Sequence, residues 1–191
     1  MKNRLKLAII GCGRISEHHC RSIMETEGME LTAVCDLIIE KANKYSEQFG
    51  IKSYDNYHKM LKENPQINTV VVNTPSGMHY EHVLEIITHY QKNILVEKPT
   101  FLKVSHVNKV FETATKVGVN VFPVFQNRHN MAVQRVEQGL ESGELGQIRC
   151  VSVRVRWCRP QRYYDMDPWR GTFSMDGGCL TNQGIHHIDL L

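Results

Sequence analysis

The sequence predicts an α/β chain: a doubly wound parallel sheet over residues 1–125, followed by a truncated α+β domain over residues 126–191. Three observations carry this. Apolar runs of strand length alternate with longer segments of helical period, the pattern of βαβ units. The first run meets a glycine-rich turn, Gly11-Cys12-Gly13-Arg14-Ile15-Ser16, and a helical segment follows it. Beyond Gln126 the pattern changes, and Ile148–Trp157 alternates with period two.

Leu5–Ile10 reads as a buried first strand and Ile15–Glu25 as a helix. Leu31–Cys35 is the second strand, and Ile39–Phe49 a helix closed by Gly50. Asn56–Glu63 is a short helix ahead of Pro65. Thr69–Val72 is a compact β-branched strand, Met78–Tyr90 a helix and Ile94–Val96 another buried strand. Val104–Val117 is a helix ending before Gly118, and Val119–Phe125 a further strand that completes the first domain. In Ile148–Trp157, Val151, Val153, Val155 and Trp157 share one side, which predicts a half-buried strand of an antiparallel or mixed sheet. With its neighbours missing, that strand is expected to leave an unpaired edge prone to self-association.

The chain has 191 residues, 41% hydrophobic and 23% charged, with a net charge of +3. Its basic residues are dispersed, so no nucleic-acid footprint is present. No apolar run reaches the roughly 18 residues of a membrane span. Leu5–Ile10 is too short for a signal peptide, so a cytoplasmic location away from membranes is expected. The six cysteines form no C-x-x-C pair. That reads as reduced thiols rather than a zinc or redox site.

Gly11 permits a tight turn, and Gly13 lets the backbone approach a pyrophosphate on the helix N-terminus that Arg14 and Ile15 begin. Ser16 stands at the third glycine position of the fingerprint. Asp36, at the end of the second strand, suits ribose hydroxyls and favours NAD over NADP. Asn73, Thr74 and Pro75 close the next strand, where ligands bind in such sheets, although Pro and Ser also favour a plain turn. His79 joins the cofactor-binding candidates. By spacing alone, His18, His19, His79 and His82 read as helix-surface residues. Ile94–Val96 runs into Glu97-Lys98-Pro99; a lysine after a strand is by itself usually a solvated surface residue, and alongside the other motifs Lys98 reads as a general base or hydrogen-bond donor in the cleft.

Taken as one helix, Leu180–Leu191 places Asn182, His186 and Asp189 at i, i+4 and i+7 on one face. Leu180, Gly184, Ile188 and Leu191 share the opposite face, with His187 among them. His186 suits a proton shuttle. A metal is not expected there, because only one carboxylate shares its face.

As a set, the glycine turn with Ser16, Asp36, Glu97-Lys98-Pro99 and the late Gly-Gly…Asn…His…Asp segment resemble the glucose–fructose oxidoreductase and inositol dehydrogenase (Gfo/Idh/MocA) family. The resemblance covers the whole chain. It implies an N-terminal Rossmann domain, then a domain on an open, mostly antiparallel sheet that contacts substrate and forms a homo-oligomer. Lys98 matches the family's catalytic lysine and His186 its catalytic histidine. Asn182 stands where many members have aspartate, so it orients substrate rather than relaying a proton. Tyr163 to Thr172, with Asp176-Gly177-Gly178 and Asn182-Gln183, is similar to UDP-N-acetylglucosaminuronate 3-dehydrogenases of bacterial surface-polysaccharide synthesis. That likeness implies Trp169 and Arg170 at the cofactor, and Lys98 and His186 flanking a sugar C3 hydroxyl. Tyr163, Tyr164, Asn182 and Asp189 are the substrate candidates. An inositol or simple-sugar dehydrogenase, or a dinucleotide-binding module without activity, stands as the alternative.

Overall fold

The computed structural model describes residues 4–191. The chain divides into two compact units, Met1–Pro123 and Val124–Leu191.

The first unit is a six-stranded sheet. Its strands are β1 (Leu5–Ile10), β2 (Met29–Cys35), β3 (Lys52–Tyr54), β4 (Thr69–Val72), β5 (Asn93–Val96) and β6 (Val121–Pro123). Every pairing is parallel, in the spatial order β3-β2-β1-β4-β5-β6. The chain runs outward from β1 in one direction and then from β4 in the other. The β1/β4 junction is therefore the switch point, where such sheets open a ligand crevice at their carboxyl ends.

Alternation explains how the sheet is buried on both faces. Ala8 and Ile10 pack with Val70, Val72, Ile94 and Val96 in one cluster. Leu7 and Ile9 pack with Leu31, Val34 and Val71 in the other. Helices cover each face. α1 (Ser16–Glu25) and α2 (Ile39–Phe49) supply Cys20, Ile23, Ala42 and Tyr45 to the second cluster. α3 (Tyr57–Glu63), α4 (His79–Tyr90) and α5 (Val104–Val117) supply Met60, Val83, Ile86, Ile87 and Val110 to the first. Full burial of side chains such as Ile9 and Ile86 stabilises the fold by about 1.5–3 kcal/mol each.

Local chemistry sets the helix ends. Asn56 caps α3, its side chain accepting from Lys59 N–H at 3.1 Å. Gly50 ends α2 in the left-handed region, at φ 66°, as a C-terminal glycine does. The expected strands and helices of this unit form with ends shifted by a few residues at most. The three-residue β3 was not expected, because Lys52-Ser53-Tyr54 is too short to show a period.

The second unit contains a 3₁₀ turn (Gln126–His129) and α6 (Met131–Glu141), capped by Asn130, whose side chain accepts from Ala132 N–H. Four short helices follow: α7 (Gln161–Tyr164), α8 (Phe173–Asp176), α9 (Gly178–Asn182) and α10 (Ile185–Asp189).

Two expectations fail here. Ile148–Trp157 forms no strand, and Val151 and Val153 are 59% and 42% exposed. Alternation supplies a face but not a ladder, and a strand exists only where neighbouring backbone pairs with it. Among the described residues nothing pairs with this segment. Leu180–Leu191 is also not one helix. α9 ends at Asn182 and α10 starts at Ile185, with Gly184 between them, where a Cβ would meet Leu180 O at 3.1 Å. The supposed packing face is open, with Leu180 and Leu191 72% and 70% exposed. The supposed polar stripe is the buried side, since Asn182 and His186 are both buried.

Candidate functional site

The glycine turn sits at the switch point, and each of its residues has a physical reason. Gly11 lies at φ +87°, and a Cβ there would stand 2.7 Å from the Asn73 backbone carbon and oxygen. Only glycine lets β1 and β4 approach so closely at their ends. Gly13 differs: a Cβ would meet nothing within 4 Å. The chain itself therefore does not need glycine there, and a ligand approaching that open side would.

Ser16 carries more than smallness. Its hydroxyl donates to Gly11 O at 2.6 Å and accepts from Asn73 Nδ2 at 3.1 Å. One side chain thus locks the turn to the end of β4. Tyr45 adds a third tie, donating its hydroxyl to Gly13 O at 2.8 Å. Asp36 accepts from Cys12 N–H at 2.7 Å and from Ile38 N–H at 2.9 Å, so its carboxylate is held at the mouth of the turn. Burial, then Asp36, pushes the Cys12 thiol far up, and burial pushes Cys20 and Cys35 up to about 12. These cysteines are inert packing groups, as expected of reduced thiols.

The β4 end is equally built. His79 Nδ1 lies 2.9 Å from Pro99 O, and its Nε2 lies 2.8 Å from Thr74 O. The ring therefore bridges the β4 and β5 loops. Burial lowers its pKa, against the two carbonyls that favour the charged form. Thr74 Oγ1 is 3.0 Å from His82 Nδ1. The reading of His79 and His82 as surface residues is corrected: His79 is 1% exposed and His82 only partly exposed.

The same correction applies to His19, whereas His18 is exposed as expected. His19 Nε2 donates to Glu97 Oε1 at 2.8 Å, with both side chains near 12–13% exposed. Glu97 Oε2 accepts from the Lys98 backbone N–H at 3.0 Å. Burial raises the Glu97 carboxyl pKa, but His19 and the Lys98 N–H outweigh it, and the net direction is down. The Lys98–Pro99 peptide is cis. Ser16, Cys20 and Ile23 mark the buried side of α1. His19, between Ser16 and Ile23 at helical spacing, could have been placed on that side from the sequence.

In the second unit the candidates fall into two groups. Arg170 Nε donates to Asp167 at 3.0 Å and Nη1 to the Tyr163 hydroxyl at 3.1 Å. Its guanidinium lies over the Tyr163 and Trp169 rings. Tyr164 meets Tyr163 edge-on. Asp176 is buried and accepts from Gly171 N–H at 2.7 Å. In the second group, His186 stands edge-on to Phe125, and both carboxylate oxygens of Asp189 receive Arg128 at 2.8 Å. Gln183 extends the first group: its amide donates to the Tyr163 hydroxyl and to Asn182 Oδ1. Sequence reasoning passed over Arg159 and the contacts of Gln183, because their partners lie 20 or more residues away along the chain.

Residues 5–125 match the profile of the Gfo/Idh/MocA oxidoreductases, described as an oxidoreductase family with an NAD-binding Rossmann fold. The chain belongs to the Gfo/Idh/MocA family. Residues 133–191 match a C-terminal domain of the same family. In structure, the chain resembles the WlbA dehydrogenase from Bordetella pertussis, crystallised with NADH and UDP-GlcNAcA. The TM-score is 0.94 at 32% identity, covering 100% of this chain and 55% of that one. Myo-inositol 2-dehydrogenase from Thermotoga maritima is 24% identical over 97% of this chain and 53% of its own length. D-glucoside 3-dehydrogenase from Escherichia coli is 28% identical over 97% of this chain and 52% of its own. The chain thus spans about half the length of these relatives.

The Gfo/Idh/MocA residues present fit NAD. The backbone N–H groups of Gly13, Arg14 and Ile15 receive no acceptor from the chain among the described residues, and they open the N-terminus of α1. Asn73 Oδ1 is buried without a partner beside them. Unmet donors at a helix N-terminus beside an open Gly13 are what a pyrophosphate takes up. Gly11, Gly13, Arg14, Ile15, Asp36, Asn73, Thr74 and Pro75 all stand at the carboxyl ends of β1, β2 and β4. No helix among the described residues is long and apolar enough to cross a membrane.

Proposed function

We propose that the protein is an NAD-dependent dehydrogenase of an acidic nucleotide sugar, oxidising C3 of a UDP-linked N-acetylhexosaminuronate. The observation that carries this reading is the likeness to the WlbA dehydrogenase over the entire chain, at 32% identity. The pattern at the second unit's cluster supports it: Tyr163, Trp169, Arg170 and Asn182 are the residues the sequence likeness assigns to cofactor and substrate. The reading extends to the surface-polysaccharide synthesis which that likeness implies, and to a cytoplasmic homo-oligomer.

Nicotinamide, when bound, supplies the hydride acceptor. Lys98 or His186 takes the hydroxyl proton, a contribution of about 10²–10⁴ in rate for positioned acid–base groups. Glu97, held by His19, fixes the backbone N–H of Lys98 and so the loop that carries the amine. Asn182 carries no titratable group and orients substrate. Asp36 receives the ribose hydroxyls and disfavours a 2′-phosphate by charge.

The test is NAD reduction with UDP-GlcNAcA in wild type, Lys98→Ala and His186→Ala. Loss of turnover in both variants is expected, and near-normal turnover in Lys98→Ala overturns the assignment of that lysine. A second reading, an inositol or other polyol dehydrogenase, is favoured by the Thermotoga maritima relative. Turnover of myo-inositol without turnover of the nucleotide sugar would establish it.

A further inference from the structure

We propose that Arg159 reads the anionic group of the substrate, taking a carboxylate or phosphoryl oxygen pair on the edge of its guanidinium. The proposal rests on the acidic nucleotide-sugar reading above.

Three contacts fix this side chain although it lies on the surface. Its Cζ is 4.9 Å from the Trp157 ring centroid and 5.0 Å from that of Tyr163. Its Nε donates to Gln183 Oε1 at 2.9 Å. The orientation of the Gln183 amide follows from its neighbours. Nε2 donates to the Tyr163 hydroxyl at 3.0 Å and to Asn182 Oδ1 at 3.1 Å, which leaves Oε1 for Arg159. Flipping the amide would set donor against donor at Arg159, so the network has one solution.

The charge is fixed but not answered. Tyr163 carries two guanidiniums on its ring, those of Arg159 and Arg170. Arg170 has Asp167 at 3.0 Å. No carboxylate pairs with Arg159 among the described residues. The Tyr163 oxygen already accepts from Arg170 and Gln183, so its own proton is left to donate. An arginine fork held through its Nε, with its Nη edge open and an unspent phenol proton beside it, forms a receptor for a planar or tetrahedral oxyanion. Through Gln183 the fork is keyed to Asn182, the proposed substrate-orienting residue. A carboxylate on the sugar and its diphosphate present the same chemistry.

The experiment is calorimetry with NADH present, titrating UDP-GlcNAcA and UDP-N-acetylglucosamine into wild type and Arg159→Gln. The substituted residue is exposed, so an unchanged melting curve is expected to accompany the binding change. Arg159→Gln is expected to weaken UDP-GlcNAcA about tenfold or more. Loss confined to UDP-GlcNAcA identifies the carboxylate as the group held. Equal loss for both sugars identifies the diphosphate. Unchanged affinity for both overturns the proposal and leaves the nucleotide-sugar reading standing. Failure of wild type to bind either sugar overturns both.

Discussion

His19 Nε2 lies 2.8 Å from Glu97 Oε1 and joins the first helix to the loop that carries Lys98. A carboxylate only accepts, so the ring proton sits on Nε2. The pair is largely shielded, and losing one partner leaves the other without its bond. His19→Ala is therefore expected to cost about 1.5–3 kcal/mol, the range for hydrogen bonds to charged groups, read by urea unfolding.

The same pair sets a pH dependence. The Glu97 carboxyl titrates below its ordinary value of 4.5, held there by His19 and the Lys98 N–H against burial. A group whose folded pKa is depressed contributes stability above its unfolded value and loses it as pH falls through the folded one. Wild type is expected to keep this contribution down to about pH 4.5 and lose it below. In Glu97→Gln the acid limb of the stability curve should flatten. An unchanged acid limb would show that the pair is not formed in solution.

Gly11 and Gly13 should separate folding from binding. Gly11→Ala places a Cβ 2.7 Å from the Asn73 backbone at a left-handed φ, and is expected to destabilise by about 2 kcal/mol or more. Gly13→Ala meets nothing, so its unfolding free energy should match wild type within about ±0.5 kcal/mol, as for a neutral surface change. Its NADH affinity should nevertheless fall, by about tenfold or more if the pyrophosphate rests there. Equal NADH affinity in Gly13→Ala and wild type would remove the pyrophosphate from this turn.

The contrast between these glycines shows what the sequence could and could not say. The turn, its flanking strand and helix, and Asp36 were legible because strand period, helix period and glycine each leave a mark on neighbouring positions. Ser16 was legible only as a small residue. Its bond from Asn73 links positions 57 residues apart, and no local pattern records it. His19 and His79 were misread for the same reason, since Glu97 and Pro99, 78 and 20 residues along the chain, become their partners only in the folded sheet. The alternation at Ile148–Trp157 was read correctly as a pattern and wrongly as a strand, because pairing depends on a neighbour and not on the segment itself.

Ser16→Ala tests that long-range tie. It removes the bond to Gly11 O and leaves Asn73 Nδ2 without its acceptor. The expected loss is about 1–3 kcal/mol, the penalty of an unsatisfied buried group, measured by chemical denaturation. Ser16→Cys, which keeps a weak donor, should lose less.

Asp36→Asn bears on the choice of cofactor. Removing the charge should narrow the preference for NAD over NADP, because repulsion of a 2′-phosphate goes with it. Parallel titrations with NADH and NADPH read the ratio. Tighter binding of NADPH than NADH by wild type would reverse the assignment of Asp36.

The most direct measurement follows the hydrogen that leaves the sugar. UDP-GlcNAcA deuterated at C3, oxidised by the protein with NAD, is expected to deliver its deuterium to the reduced dinucleotide and yield a 3-keto sugar. Retention of the label in the product, or turnover of myo-inositol alone, would contradict the proposed reaction.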